Sequence, residues 1–173
     1  FSGSFKKFLQ WQLSHNTKAA AKRNETWRLN VRKSNDFLHS LDDCIVWLGH
    51  ASFFIRVKGV SILIDPVLQR ISGLVKRYSD LPCSIDELRN INYVLVSHAH
   101  RDHCDESSLK KIFSLNPNAI LLTSLGTGQL VSSWVSGLRF QEAGWYQQYA
   151  TEKSSLRITF LPVQHWSNRF MHD

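Results

Sequence analysis

The feature that most constrains this chain is the hexapeptide HAHRDH at residues 98–103, which places four candidate metal ligands within six residues. It comes directly after the apolar run YVLV at residues 93–96, which is typical of a buried strand. In folds that combine helices with a sheet, binding sites form at strand ends. The sequence therefore predicts a metal site at the end of a buried strand.

The spacing within the hexapeptide suits two cations. His98 and His100 lie two residues apart on an extended segment, so they project to the same side and can share one cation. Asp102 and His103 lie on the turn that follows and can reach a second one. Neutral imidazole suits zinc, and one carboxylate leaves positions open for water. The alternative, surface histidines in a polar loop, is less favoured because this cluster gains no packing benefit.

A further histidine is needed to complete the first site. His165, in the segment LPVQHW, also follows an apolar β-like run. Taken alone, it would be interpreted as an ordinary core or loop histidine. Together with the cluster at residues 98–103, it becomes the best candidate for the third ligand of the first cation.

Hydrophobic patterning predicts a mixed α/β domain built in layers. Residues 44–65 contain three short β-rich runs separated by turn residues, which predicts a strand meander. From residue 93 onward, strands alternate with helices, and a loop is expected at residues 69–88. We expect strands at residues 93–96, 119–123 and 156–161, and helices at residues 106–115, capped by Asp105, and 128–135.

The first 41 residues differ from the rest of the chain. Residues 5–28 are basic and contain no Gly or Pro, and Phe5, Phe8, Leu9 and Leu13 have helical spacing. We therefore expect a basic helical arm at residues 1–41, followed by a domain at residues 42–173. Two alternatives stay open for the apolar stripe at residues 5–28. It packs on the domain, or it contacts a membrane surface or a partner.

Charge and cysteine content limit the partners and the compartment. The chain has 21 Lys and Arg against 14 Asp and Glu, a formal net charge of +7, which favours anionic substrates or surfaces. Cys44, Cys83 and Cys104 form no C-x-x-C pair, so we expect neither a disulfide framework nor a thiolate zinc site. No apolar run approaches the ~20 residues of a membrane span. We expect a cytoplasmic protein, with peripheral membrane contact through residues 5–28 as an open alternative.

Taken together, the motifs resemble the metallo-β-lactamase superfamily. The H-x-H-x-D-H motif specifies only the superfamily, whereas four flanking segments in the same order resemble a narrower branch. That branch contains the N-acyl-phosphatidylethanolamine-hydrolysing phospholipases D and, more distantly, the L-ascorbate-6-phosphate lactonases. The segments are WLGHASFFI (47–55), ILIDP (62–66), PCSIDEL (82–88) and LPVQHWSNR (161–169). The implied fold is the N-terminal half of an αββα sandwich.

The resemblance also implies roles for individual residues. It assigns His98, His100 and His165 to one metal, and Asp102 and His103 to the other. Asp65 matches a position near the metal loop that orients ligands from outside the first layer of contacts.

His50, in GHAS, matches a family position close to the site. It is equally compatible with a simple turn residue.

The implied function is a metal-dependent hydrolase of a phosphodiester or related anionic ester, such as an N-acyl phospholipid. Two zinc ions are expected per complete site, with manganese or iron as alternatives. The metal pair would activate a water, and Asp102 would hold the resulting hydroxide and take its proton in turn.

Two other functions stay open. A nuclease of the same superfamily would suit the positive charge, but the basic residues concentrate in residues 6–33 and are not interleaved with aromatics near the motif. Nucleic acid is therefore not the expected partner. The other alternative is a non-catalytic chain that binds metal weakly.

The family pattern continues to a bridging aspartate and a last histidine that these 173 residues lack. We therefore expect the chain alone to be inactive, with its second metal weakly held. The missing half or another copy would cover the exposed sheet.

Overall fold

Six strands pair in chain order to form one mixed sheet. The computed structural model describes residues 10, 13, 14, 18–70, 77, 79–151 and 156–165. The strands of the sheet are β1 (Cys44–Gly49), β2 (Ser52–Val57), β3 (Val60–Ile64), β4 (Tyr93–Val96), β5 (Ile120–Ser124) and β6 (Arg139–Ala143). A separate antiparallel pair consists of β7 (Gln148–Tyr149) and β8 (Ile158–Thr159). The helices are α1 (Ala19–Asn24), α2 (Asp36–His39), α3 (Glu106–Leu115) and α4 (Thr127–Ser132), with a 3₁₀ turn at Ile85–Glu87.

The strand directions confirm the predicted mixed α/β fold. Strands β1, β2 and β3 form an antiparallel meander. Strands β3 to β6 are parallel, with α3 between β4 and β5 and α4 between β5 and β6. In this arrangement the carboxyl ends of β1, β3, β4 and β5 lie along the same edge of the sheet. That edge is where the HAHRDH segment begins.

Each face of the sheet carries a cluster of buried apolar side chains, although Ile45 and Trp47 of β1 are exposed. Neighbouring residues of one strand, such as Leu63 and Ile62, belong to two different core clusters because side chains alternate across a strand. One cluster contains Leu63 together with Leu109 and Ile112 of α3. The other contains Ile62 together with Tyr149 of β7, whose hydroxyl donates to the Thr123 carbonyl at 2.8 Å. Because apolar residues are needed on both faces, the sequences of the central strands are continuous apolar runs rather than alternating patterns.

Helix α3 matches its predicted bounds and cap. Its hydrophobic residues Leu109, Ile112 and Phe113 are buried against the sheet. Asp105 lies in the extended region before the helix, and its carboxylate accepts from the Ser108 backbone N–H at 2.9 Å and the Ser107 hydroxyl at 2.7 Å. This cap satisfies a donor that the first turn would otherwise leave unpaired.

The later elements differ in extent from the prediction. Helix α4 covers Thr127–Ser132, where residues 128–135 were expected, and the regular part of the expected strand at 156–161 is only Ile158–Thr159. Strand β6 was not predicted. Its sequence, RFQEA, has no apolar run because it is an edge strand whose residues are mostly half-buried.

Much of the expected N-terminal helix lies outside the described residues, including Phe5, Phe8 and Leu9. Within the described part, α1 ends at Asn24 and the chain is extended from Glu25. Residues 37–40 then pack against the sheet. The Arg56 guanidinium donates to the carbonyls of Phe37, Leu38 and Ser40, and the Phe37 ring lies 5.1 Å from that of Phe54. Among the described residues, no helix has both the length and the apolar content that crossing a bilayer requires.

We predict that Asp105→Ala lowers the free energy of unfolding by about 1 kcal/mol, because the α3 cap is lost. Urea denaturation of the metal-free protein measures this change. Asp105→Asn is the matched control, since its amide oxygen can still accept from the Ser108 N–H. Equal stability of the alanine variant and the wild type would show that the cap does not stabilise α3.

Candidate metal centre

The loop between β4 and α3 carries the HAHRDH segment and is fixed along its length. Before it, the Asp65 N–H donates to the Leu95 carbonyl at 2.8 Å, which extends the pairing of β3 with β4. Within it, the His100 carbonyl accepts from the N–H groups of Cys104 at 2.7 Å and His103 at 3.0 Å. Cys104 is fully buried in the core beneath the loop, as a small hydrophobe would be. The candidate ligands therefore project from a tight, anchored turn.

Three imidazoles converge at the end of the sheet. The His98 Nε2 lies 2.9 Å from the His100 Nδ1 and 3.1 Å from the His165 Nε2, and the remaining pair of nitrogens is 3.3 Å apart. Zinc–nitrogen bonds of 2.0–2.1 Å in a tetrahedral arrangement place ligand atoms about 3.4 Å apart. The three nitrogens thus have the separation of three corners of a zinc tetrahedron. His165 reaches this point from a segment 67 residues away in sequence.

The buried carboxylate of Asp65 organises the rings around it. Asp65 is only 4% exposed, and its Oδ1 accepts from the Ser97 N–H at 2.7 Å. Its Oδ2 accepts from the Ser97 hydroxyl at 2.7 Å and faces the His103 Nδ1 at 2.9 Å. Since the Ser97 hydroxyl donates to Asp65, its oxygen accepts from the His98 Nδ1–H at 2.9 Å. This network puts the protons of both rings on Nδ1, so the Nε2 lone pairs of His98 and His103 face outward.

A second group lies beside the first. The Asp102 Oδ2 is 3.2 Å from the His50 Nε2 and 3.8 Å from the His103 Nε2. One ligand atom of each of these three residues lies within 4.8 Å of the others. The rings of His98 and His103 are 4.3 Å apart between centroids, so the two groups adjoin. The arrangement therefore offers two neighbouring sets of three nitrogen or oxygen donors.

The local environment keeps these groups in the states that metal binding requires. Burial, followed by the nearby imidazoles of His103 and His100, lowers the pKa of His98 to about 4. Burial and then His165 also lower the pKa of His100. Burial works to raise the pKa of Asp102, but a backbone hydrogen bond and the imidazoles of His103 and His50 outweigh it, so this pKa is lowered. Near neutral pH, His98 and His100 are therefore neutral and Asp102 is ionised, which are the states in which these side chains bind a metal.

An apolar groove of about 840 Å³ opens next to the first group. Its lining includes the polar side chains of Ser97, His98, Ser124, Thr159 and His165. The other side chains that line it include Leu95, Leu125, Trp145, Tyr149, Phe160, Leu161 and Val163. Among these, Leu125, Trp145, Leu161 and Val163 are more than 60% exposed, which is unusual for large apolar side chains. The groove can accept an apolar group while a polar group faces the histidines.

The structure brings together all the residues that the sequence singled out as ligands. His98, His100 and His165 form one group, and Asp102 and His103 belong to the other. Asp65 contacts His103 and Ser97 from beneath. Ser97 was not predicted, although its position between a strand end and the motif was a usable signal.

His50 had two possible roles from the sequence, a site residue or a simple turn residue. The structure places its Nε2 3.2 Å from the Asp102 Oδ2, with the side chain still 35% exposed.

Comparison with known proteins identifies the family. Residues 61–173 match the model of the beta-lactamase superfamily domain. The chain is 30% identical over 138 residues to N-acyl-phosphatidylethanolamine-hydrolyzing phospholipase D 1 of Caenorhabditis elegans, covering 73% of this chain and 39% of that protein. It is 28% identical over 135 residues to the mitochondrial enzyme of the same name from Saccharomyces cerevisiae, covering 73% of this chain and 28% of that one. The chain thus spans well under half the length of these relatives.

A solved structure supports the fold. The diiron β-hydroxylase CmlA from Streptomyces venezuelae superposes with a TM-score of 0.54 at 22% identity, over 71% of this chain and 24% of that one. At this identity the likeness concerns the fold alone. The family match, the relatives and the strand-end histidine cluster agree with the resemblance seen in the sequence. The chain belongs to the metallo-β-lactamase superfamily.

Proposed function

We propose that this chain supplies the metal-binding part of a metal-dependent hydrolase that acts on a phosphodiester or related anionic ester, such as an N-acyl phospholipid. The observation that carries the proposal is the convergence of two groups of three ligand-type side chains at one sheet edge, beside an apolar groove. Membership of the superfamily supports the hydrolase class. The two phospholipase D relatives support the lipid substrate.

In this proposal, His98, His100 and His165 hold one cation, and Asp102 and His103 contribute to a second. The donors are imidazole nitrogens and one carboxylate, a set that suits zinc and also accommodates manganese or iron. Bound cations of this kind lower the pKa of a water toward neutrality and stabilise negative charge that develops on an ester oxygen. The low pKa of His98 means that a cation displaces no proton from this ring at neutral pH.

Asp102 is proposed to orient the attacking water. Its side chain is 42% exposed, so water can reach the carboxylate. Its lowered pKa keeps it ionised and able to accept a hydrogen bond from that water. A carboxylate with a lowered pKa is a weak base. Asp102 therefore acts mainly by holding the water, and it would carry the proton taken from that water only transiently.

The groove supports a substrate with an apolar part. An acyl chain lying along Leu125, Trp145 and Leu161 would place its polar end near His98 and His165. The formal net charge of +7 favours approach to an anionic lipid surface. We therefore propose a cytoplasmic protein that contacts a membrane surface peripherally.

The direct test is a substrate panel with the zinc-loaded protein, assayed both as this chain alone and at the full length of its relatives: N-acyl-phosphatidylethanolamine in mixed micelles, bis-p-nitrophenyl phosphate and duplex DNA. We expect no turnover by the chain alone. We expect the longer protein to hydrolyse the lipid, with the activity lost on adding a chelator and restored by zinc or manganese. Cleavage of DNA alone would favour the nuclease. Metal binding without turnover of any substrate would favour the non-catalytic alternative.

We predict that His100→Ala weakens zinc binding at the first site by more than the ~100-fold that loss of an outer contact produces. The same change should alter the unfolding free energy of the metal-free protein by less than about 1 kcal/mol, because the ring is on a loop and outside the core. Competition with a chromophoric chelator measures the affinity, and urea denaturation measures stability. His39→Ala, at an exposed position of α2, is the control. A large loss of helicity in metal-free His100→Ala would identify a structural residue instead of a ligand.

Trp145→Ala should raise KM for the N-acyl phospholipid several-fold while leaving hydrolysis of bis-p-nitrophenyl phosphate nearly unchanged. The reason is that Trp145 lines the groove at 64% exposure and has no place in either donor group. Trp27→Ala removes a similarly exposed indole elsewhere and should change neither substrate. Equal effects on the two substrates would argue against the groove as an acyl site.

A further inference from the structure

We infer that His50 is a direct ligand of the second cation, so that this chain by itself offers three protein ligands to each of two cations. The inference rests on the proposed metal centre and extends it. Asp102 and His103 alone would hold a second cation weakly. The third donor comes from the turn between β1 and β2, 52 residues before Asp102 in sequence.

The backbone of this turn is strained at His50. Gly49 has φ +98° and His50 has φ +50°, so two successive residues lie in the left-handed region. A Cβ at Gly49 would also force the Arg77 guanidinium to move. At the second position histidine carries an energetic penalty that glycine would avoid, and asparagine tolerates this conformation at least as well as histidine. Such strain persists where the surrounding structure holds it and a function uses it.

Several contacts hold the turn in place. The Trp47 Nε1–H donates to the His50 carbonyl at 2.9 Å. The buried Ser52 hydroxyl donates to the Asp65 carbonyl at 2.7 Å and accepts from the Val67 N–H at 3.0 Å. These contacts tie the β1–β2 turn to Asp65, the residue that also orients His103. The positions of His50 and His103 are therefore set by one common piece of backbone.

Arg77 adds a second tie between the same two segments. Its guanidinium donates to the Leu48 carbonyl at 2.5 Å and to the Val67 carbonyl at 2.6 Å. The chain after β3 is therefore tied to the β1–β2 turn on both sides, to Leu48 before it through Arg77 and to Ser52 after it. A turn anchored in this way can present a side chain at a fixed point.

The donor geometry suits a cation. The Nε2 of His50 and the Oδ2 of Asp102 are 3.2 Å apart, and the Nε2 of His103 is 3.8 Å from the same oxygen. These separations lie on either side of the ~3.4 Å expected between ligand atoms of a tetrahedral zinc site. The His50 side chain is 35% exposed, so a cation can enter from solvent. The competing role is a hydrogen bond from His50 to Asp102, with His50 only positioning the carboxylate.

The experiment counts metal ions in the full chain. Metal-free protein is titrated with zinc against a chromophoric chelator, and bound zinc is measured by mass spectrometry after desalting. Co²⁺ absorption follows the geometry of each site. His50→Asn removes the imidazole but keeps a residue that tolerates positive φ, and His39→Asn is the matched control. If His50→Asn does not fold, as judged by its melting curve, His50→Gly replaces it with the same measurements.

We expect two zinc ions in the wild type and in His39→Asn, and one in His50→Asn, bound with the first-site affinity of the wild type. The melting temperature of metal-free His50→Asn should be equal to or higher than that of the wild type, because the backbone strain is relieved. If the variant retains two zinc ions, even with 10–100-fold weaker binding at the second site, His50 is not a ligand. A wild type with one zinc ion overturns this inference and leaves the proposed function standing, whereas a wild type with none overturns both.

Discussion

The hydrogen bonding of the Asp65 carboxylate is the interaction on which the rest of the site depends. A buried carboxylate is unfavourable unless donors surround it, and Asp65 has the Ser97 N–H, the Ser97 hydroxyl and the His103 ring. Because it only accepts, it fixes the proton positions of its neighbours. The two rings that it controls, directly or through Ser97, present their Nε2 atoms to the adjoining groups of donors.

The sheet explains why such distant residues meet. Strands β3 and β4 are parallel neighbours, so Asp65 at the end of one lies beside Ser97 at the end of the other. Two antiparallel steps return the chain from β1 to β3, which brings the β1–β2 turn and His50 to that same edge. His165, which follows β8, completes the first group. The topology thus gathers four separate segments at one edge.

The parts that the sequence predicted well are governed by local rules. Strand β4, helix α3 and its Asp105 cap follow from contiguous apolar and capping patterns, and the ligand pattern of residues 98–103 is local too. The contact of His50 with Asp102 depends on strand pairing and on positive φ values at a turn, and neither leaves a readable pattern. Strand β6 was missed because an edge strand needs no apolar run. The expected division at residue 41 stays a prediction.

We propose that His98, His100 and His165 bind one cation through the nitrogens that converge in this structure. Anomalous diffraction at the zinc absorption edge, from crystals of the zinc-loaded protein, would locate that cation. We expect an anomalous peak ~2.0–2.1 Å from the His98 Nε2, the His100 Nδ1 and the His165 Nε2. A zinc ion bound elsewhere, or bound without His165, would contradict it.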